Sequence, residues 1–236
     1  MESLADRIAQ IQERIDRAAR AAQRDPQTVR LIGVSKTFPM ERIAEALAAG
    51  LRDFGESRIQ EAEQKILGLP GQGARWHLIG HLQSNKAKRA AALFDCLHSV
   101  NSLRLAQAIS RHVQEAGQPP REALLQVNVS GEASKEGFDL AMWQDRPAAA
   151  HGFFADVAQA LALPGLRITG LMTIAPYGDD PLPTFRAARL LREELARRFP
   201  AAPWAELSMG MSEDFEAAIA EGATMVRVGR AIFGQR

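Results

Sequence analysis

Short β-rich runs alternate with longer helical ones eight times along this chain, and that rhythm constrains the fold more than any other feature. It begins after an opening helix, because Leu4, Ile8, Ile11 and Ile15 recur at three- and four-residue steps among Glu, Arg and Gln and give residues 2–23 one apolar face. The predicted strands are Arg30–Ser35, Asp53–Gly55, Trp76–Gly80, Cys96–Val100, Ala123–Val129, Leu166–Thr173, Glu206–Met209 and Thr224–Val228. Between them lie helical patterns at about 39–49, 58–67, 85–93, 103–116, up to about 163, 183–199 and 213–220. Strand and helix in strict alternation imply parallel strands joined by right-handed crossovers. Eight such units in 236 residues fit a single α/β domain over residues 1–236, a (β/α)8 TIM barrel with an extra N-terminal helix. A flavodoxin-like open sheet is the runner-up, but no G-x-G-x-x-G follows the first strand.

The charge balance then narrows the partners. Lys plus Arg number 29 against 28 for Asp plus Glu, a net +1 that supplies no broad field for a nucleic-acid backbone or an anionic membrane. Any phosphate must be gripped locally. A single cysteine, Cys96, excludes an internal disulfide, and with no signal-like or membrane-spanning run in view the cytoplasm is the expected location. Lysine chemistry has only Lys36, Lys65, Lys86, Lys88 and Lys135 to draw on, and phenolic chemistry only Tyr177.

Lys36 follows the first strand, where Ile32, Val34 and Lys36 share a face by alternation. An apolar face in a barrel strand is the interior, so Lys36 is expected to point inward at the catalytic rim. Desolvation there lowers an ammonium pKa and leaves a neutral amine, as attack on an aldehyde to form a Schiff base requires. A lysine that snorkels out of the rim or pairs with a carboxylate is the alternative. Ser208-Met209-Gly210-Met211-Ser212 and Val226-Arg227-Val228-Gly229-Arg230 end the last two strands, where barrels often build a phosphate site from backbone N–H groups. Ser208 and Ser212 offer hydroxyls, and Gly210, Gly229 and Arg230 close backbone approach, although Ser212 is also an ordinary helix cap and Gly229 an ordinary turn residue. With Lys36 these features describe an aldehyde cofactor bearing a phosphate.

Val34-Ser35-Lys36-Thr37, Phe54-Gly55-Glu56, the run from Trp76 to Lys86, Gly170-Leu171-Met172-Thr173 and Leu207-Ser208-Met209-Gly210-Met211-Ser212 together resemble the pyridoxal phosphate homeostasis proteins of the YggS/PROSC type. The resemblance runs from about Leu4 to Gly234. It implies a barrel similar to the N-terminal domain of alanine racemases, binding pyridoxal 5'-phosphate (PLP) and serving vitamin B6 and amino-acid or keto-acid balance without established turnover. It further implies Lys36 as the Schiff-base lysine, Ser208 and the Gly229-Arg230 turn as the phosphate cradle, and Arg227 as the partner of the pyridine nitrogen. Met172 and His81, at the rim within family-like motifs, join the candidate cofactor contacts. The family usually has Asn after Gly-Glu, and here Ser57 stands there; a hydroxyl cannot reproduce the two-ended bonding of an amide.

An arginine at the ring nitrogen keeps it unprotonated and restrains carbanion chemistry. Racemisation also needs a second base, which in alanine racemases is a tyrosine from a C-terminal domain; Tyr177, in the loop after the sixth strand, is the substitute available in this sequence. Cofactor storage or transfer is the expected role, with PLP-requiring apo-enzymes as transient partners and a monomer as the expected state. A low-activity PLP-dependent racemase or lyase is the alternative, and a barrel without cofactor a third reading. His77 and His81 have metal-like spacing, but that spacing joins ligands only on a helix, so no metal is expected. Cys96 reads as a small core residue, and Lys135 as a loop lysine in a polar segment that could form a lid.

Overall fold

The computed structural model describes residues 2–69 and 73–234. Its strands are β1 (Arg30–Val34), β2 (Asp53–Glu56), β3 (Arg75–Leu78), β4 (Cys96–Val100), β5 (Arg121–Asn128), β6 (Leu166–Met172), β7 (Glu206–Ser208) and β8 (Met225–Val228). All pair in parallel in the order β4-β3-β2-β1-β8-β7-β6-β5, and β4 also pairs with β5, which closes the sheet into a barrel. The helices are α1 (Leu4–Ala21), α2 (Met40–Ala48), α3 (Ile59–Gly68), α4 (Ala87–Leu93), α5 (Leu103–Glu115), α6 (Pro147–Leu161), α7 (Leu182–Arg198), α8 (Phe215–Ala220) and α9 (Arg230–Phe233). Strand positions agree with the sequence pattern to within two residues at each end. None of the described helices is long and apolar enough to cross a membrane.

The unit after β5 departs most from expectation. Helix begins only at Pro147, and a two-residue strand, Phe138–Asp139, pairs with the end of β5. Gly131 and Gly137 adopt φ of 79° and 128°, values that interrupt helix and favour glycine. Proline at the first turn of α6 then restarts it.

Helix α1 starts at a capping box in which Ser3 and Asp6 satisfy each other's backbone N–H, and buries Leu4, Ile8, Ile11, Ile15 and Ala19 against α8, α9 and α2. Each large side chain among them contributes about 1.5–3 kcal/mol. Arg7 Nε donates to the Ile232 carbonyl at 2.6 Å and anchors the helix to α9.

Two cores result. One lies between strands and helices and holds Phe54, Leu78, Leu97 and Phe185; the other lies inside the barrel and consists of Ile32, Cys96, Leu124, Met172 and Met225. At the amino ends of the strands, Arg30 stands 3.8 Å from Asp53 and 3.6 Å from Glu206, while Glu122 meets Arg75 at 2.6 Å and Arg167 at 3.1 Å. Polar groups therefore close the bottom of the barrel, apolar ones fill its middle, and the carboxyl ends are left for a cleft.

Candidate functional site

A cleft of about 910 Å³ opens at the carboxyl ends of the strands, with Lys36, Ser57, Tyr177, Ser212, Arg227 and Gly229 in its walls. Ile32 lies in the inner core, Val34 lines the cleft, and half-buried Lys36 stands in the turn just past β1, so the alternation that aimed Lys36 at the rim holds. That turn is clamped from both sides. Lys65 Nζ donates to the Ser35 carbonyl at 2.8 Å, and the Thr37 N–H donates to the Glu61 carboxylate, with Thr37 at φ 69°. Lys65 also reaches Glu56 Oε1 at 2.7 Å and Glu61 Oε1 at 2.6 Å, and the Ser35 hydroxyl donates to Glu56 Oε1 at 2.6 Å. Burial pushes the Glu56 carboxyl above its ordinary range, opposed by Lys65 and Ser35.

Arg227 forms the floor. Its Nη1 donates to Ser208 Oγ at 2.6 Å and its Nη2 to the Thr173 carbonyl at 3.0 Å. Burial lowers its pKa to about 10, with Asp214 opposing, so it remains cationic at neutral pH. Its five N–H donors exceed the two these bonds use.

The remaining expected residues divide. Ser208, expected in the phosphate cradle, is fully buried and not among the lining residues; its hydroxyl accepts from Arg227 and lies 2.9 Å from His98 Nδ1. Ser212 lines the cleft instead. Met172 belongs to the inner core and is not among the lining residues. Gly210, at φ 89°, accepts the Arg227 N–H through its carbonyl at 3.0 Å; a Cβ there would lie 2.6 Å from the Ala218 Cβ. Gly229 lines the cleft, and a Cβ on it would stand 3.3 Å from both Val34 Cβ and its carbonyl oxygen. Arg230 also lines the cleft and is bonded to Glu213. His81 is exposed on the rim, bonded to Glu136 of the loop after β5, and is not among the lining residues. Tyr177 lines the opening and is 79% exposed.

The family model described as the alanine racemase N-terminal domain matches residues 7–236. The chain is 47% identical to the pyridoxal phosphate homeostasis protein of Pseudomonas aeruginosa over 236 residues, covering 100% of this chain and 97% of that protein. It is 41% identical to the protein of the same name from Escherichia coli, covering 100% of this chain and 98% of that one. The chain belongs to the pyridoxal phosphate homeostasis protein family. PipY of Synechococcus elongatus, solved with PLP bound, is 39% identical and superposes with a TM-score of 0.81 over 98% of this chain and 100% of that one. Alanine racemase of Clostridium difficile shares the barrel, with a TM-score of 0.68 at 13% identity over 95% of this chain and 56% of that one.

Two sets of contacts around this cleft escaped the sequence reading. Lys65 carried a usable signal, since Ile59, Ala62 and Lys65 share the buried face of α3 and Glu61 precedes Lys65 by four residues. The other is a pair of fully buried imidazoles. His77 Nδ1 lies 2.9 Å from His98 Nε2, and His77 Nε2 lies 2.8 Å from Asp53 Oδ1. His98 is placed inside the barrel by its alternation with Cys96 on β4. His77 therefore partners His98, not His81. Ligand atoms of His77, Cys96 and His98 lie within 4.8 Å of one another, yet both imidazoles already spend their nitrogens on hydrogen bonds.

Burial holds both histidines below their ordinary value of 6.5, His98 well below it. For His77 the Asp53 carboxylate opposes this while Arg75 and Arg30 reinforce it; for His98 the neighbouring His77, Arg227, Arg30 and Arg75 all reinforce it. The unfolded chain therefore binds protons that the folded chain refuses, and stability is lost as pH falls below about 6.5. Urea unfolding at pH 7.5 and 5.5 is expected to differ by up to about 2.5 kcal/mol from this pair. A profile that stays flat in wild type, or is equally steep in His98→Asn, contradicts the assignment.

Proposed function

We propose that this chain binds PLP in the cleft above β1 and β8 and acts in intracellular PLP homeostasis. The observation that carries the reading is the convergence of Lys36, on a clamped turn, and a buried cationic Arg227, on the neighbouring strand, in the walls of one cleft. The residues present fit the group. Lys36 supplies a primary amine for the aldehyde, Arg227 supplies N–H donors and no acceptor for the ring nitrogen, and Gly229 with Ser212 leaves room and a hydroxyl for the phosphate. When bound, PLP supplies an aldehyde that a neutral amine can hold as a Schiff base and a ring that withdraws electrons from it. The curated relatives' name and the PLP-bound PipY structure support the same assignment.

The chain's own residues favour holding over turnover. Arg227, which only donates, would keep a ring nitrogen held against it an acceptor, and that would weaken the ring as an electron sink. Tyr177, the residue available as a second base, is mostly in water on the rim, and so is positioned poorly for a directed proton transfer. An open rim carrying exposed Tyr177 and Met211 suits transient contact with apo-enzymes that receive the cofactor. Titration of the purified protein with PLP, followed by visible absorbance and by solvent deuterium exchange into amino acids, tests the reading. A saturable visible band without exchange is the expected result; a protein that never colours supports a barrel without cofactor, and rapid exchange supports an enzyme.

A further inference from the structure

A continuous line of hydrogen bonds runs through the barrel from its amino end to the cleft: Asp53 Oδ1 to His77 Nε2 at 2.8 Å, His77 Nδ1 to His98 Nε2 at 2.9 Å, His98 Nδ1 to Ser208 Oγ at 2.9 Å, and Ser208 Oγ to Arg227 Nη1 at 2.6 Å. The end groups dictate its direction. A guanidinium only donates and a carboxylate only accepts, so Arg227 gives to Ser208 and Asp53 takes from His77. A neutral imidazole carries one N–H and one acceptor nitrogen, and the four bonds can all form with a single assignment. Ser208 then donates to His98 Nδ1, His98 donates through Nε2–H to His77 Nδ1, and His77 donates through Nε2–H to Asp53. Reversing the order at either imidazole sets two donors or two acceptors face to face at about 3 Å in a low-dielectric interior, at the cost of an unmade buried bond.

We propose that Asp53, His77, His98 and Ser208 form a one-directional hydrogen-bond chain that orients the Arg227 guanidinium at the floor of the cleft. His98 and Ser208 are positioning residues, since neither is among the cleft-lining residues and both act through Arg227. The chain explains why a serine and two histidines occupy barrel-interior positions that could hold aliphatic side chains. The Ser208 hydroxyl, with its proton committed to His98, turns a lone pair toward Arg227 and fixes one of its N–H groups, while the Thr173 carbonyl fixes another. The plane of the guanidinium is thereby set before any ligand arrives. This deepens the PLP reading, on which only its consequence for cofactor affinity depends.

Nitrogen-15 NMR of the unliganded protein at pH 7.5 tests the chain directly. Both His77 and His98 are expected as neutral Nε2–H tautomers, and the Arg227 Nη protons as resolved, slowly exchanging signals. An Nδ1–H tautomer at either histidine overturns the proposal. Asn and Leu are close in shape but only Asn carries an acceptor, so His98→Asn is expected to retain the slow Arg227 signals and His98→Leu to speed their exchange at least about fivefold, with Ser208→Ala behaving like His98→Leu. Equal exchange in His98→Asn and His98→Leu, or slow exchange in Ser208→Ala, sinks the proposal, and the wild-type tautomers decide it where a variant unfolds. PLP titration of the same proteins separates the two readings. If wild type binds PLP, His98→Leu is expected to weaken it about tenfold and His98→Asn less than threefold. If wild type binds none, the cofactor reading fails while the tautomers and Arg227 exchange still decide the chain.

Discussion

Lys36→Ala is expected to abolish the visible absorbance that PLP gives with the wild-type protein and to weaken PLP binding by about a hundredfold, the equivalent of about 2.7 kcal/mol. The alanine variant keeps Arg227, Ser212 and Gly229 in the cleft, so residual, colourless binding through the ring nitrogen and phosphate should persist and be measurable by calorimetry. The fold should not suffer, because the turn around Lys36 is held by its neighbours: Ser35 through Lys65 and Glu56, and Thr37 through Glu61. Unfolding midpoints close to wild type would confirm that the loss is local. A band that survives in Lys36→Ala would move the linkage to Lys65, Lys86, Lys88 or Lys135. Among these, Lys65 is buried among carboxylates and Lys135 stands 3.6 Å from Glu132, so Lys135→Ala serves as the control that should keep the band.

Lys65→Met is expected to cost about 3–5 kcal/mol of stability, because removing one member of a buried ion cluster leaves the other charged without compensation. Glu56 is 0% exposed; Lys65 and the Ser35 hydroxyl are its partners through Oε1, and Oε2 has no hydrogen-bond partner among the described residues. Loss of Lys65 also strips the donor from the Ser35 carbonyl, so PLP affinity should fall with stability as the turn that presents Lys36 loosens. Adding Glu56→Leu to Lys65→Met removes the orphaned carboxyl and is expected to recover most of the stability but little of the affinity. Urea unfolding and PLP titration of the single and double variants separate the two effects. A cost below about 1 kcal/mol for Lys65→Met would mean that the cluster does not hold the turn.

The barrel was legible because alternation and helical periodicity are local properties of the chain: a strand must show a period of two and a helix one of 3.6 wherever each packs against the same core. The gathering of Lys36, Arg227 and Gly229 at one cleft was legible for a related reason, since each lies at or just past a strand end, and parallel strands bring all such ends to one face. The segment after β5 was less so, because polar residues and two left-handed glycines carry no period.

Sequence alone determined the number of β/α units, the end of the barrel that carries the site, and the scarcity of lysines that makes Lys36 testable. Only the tertiary structure decided what the inward-facing polar residues do. It set the Ser208 hydroxyl under Arg227, placed Met172 in the inner core, and joined His77 to His98 on a neighbouring strand. It also set Lys65 between Glu56 and Glu61 behind the turn. The physical reason is that a side chain's partner inside a barrel depends on strand stagger and on which neighbour's hydrogen-bonding group faces it across a few ångströms. That pairing links residues 21 and 110 positions apart, as His77 with His98 and His98 with Ser208, and no local pattern encodes it.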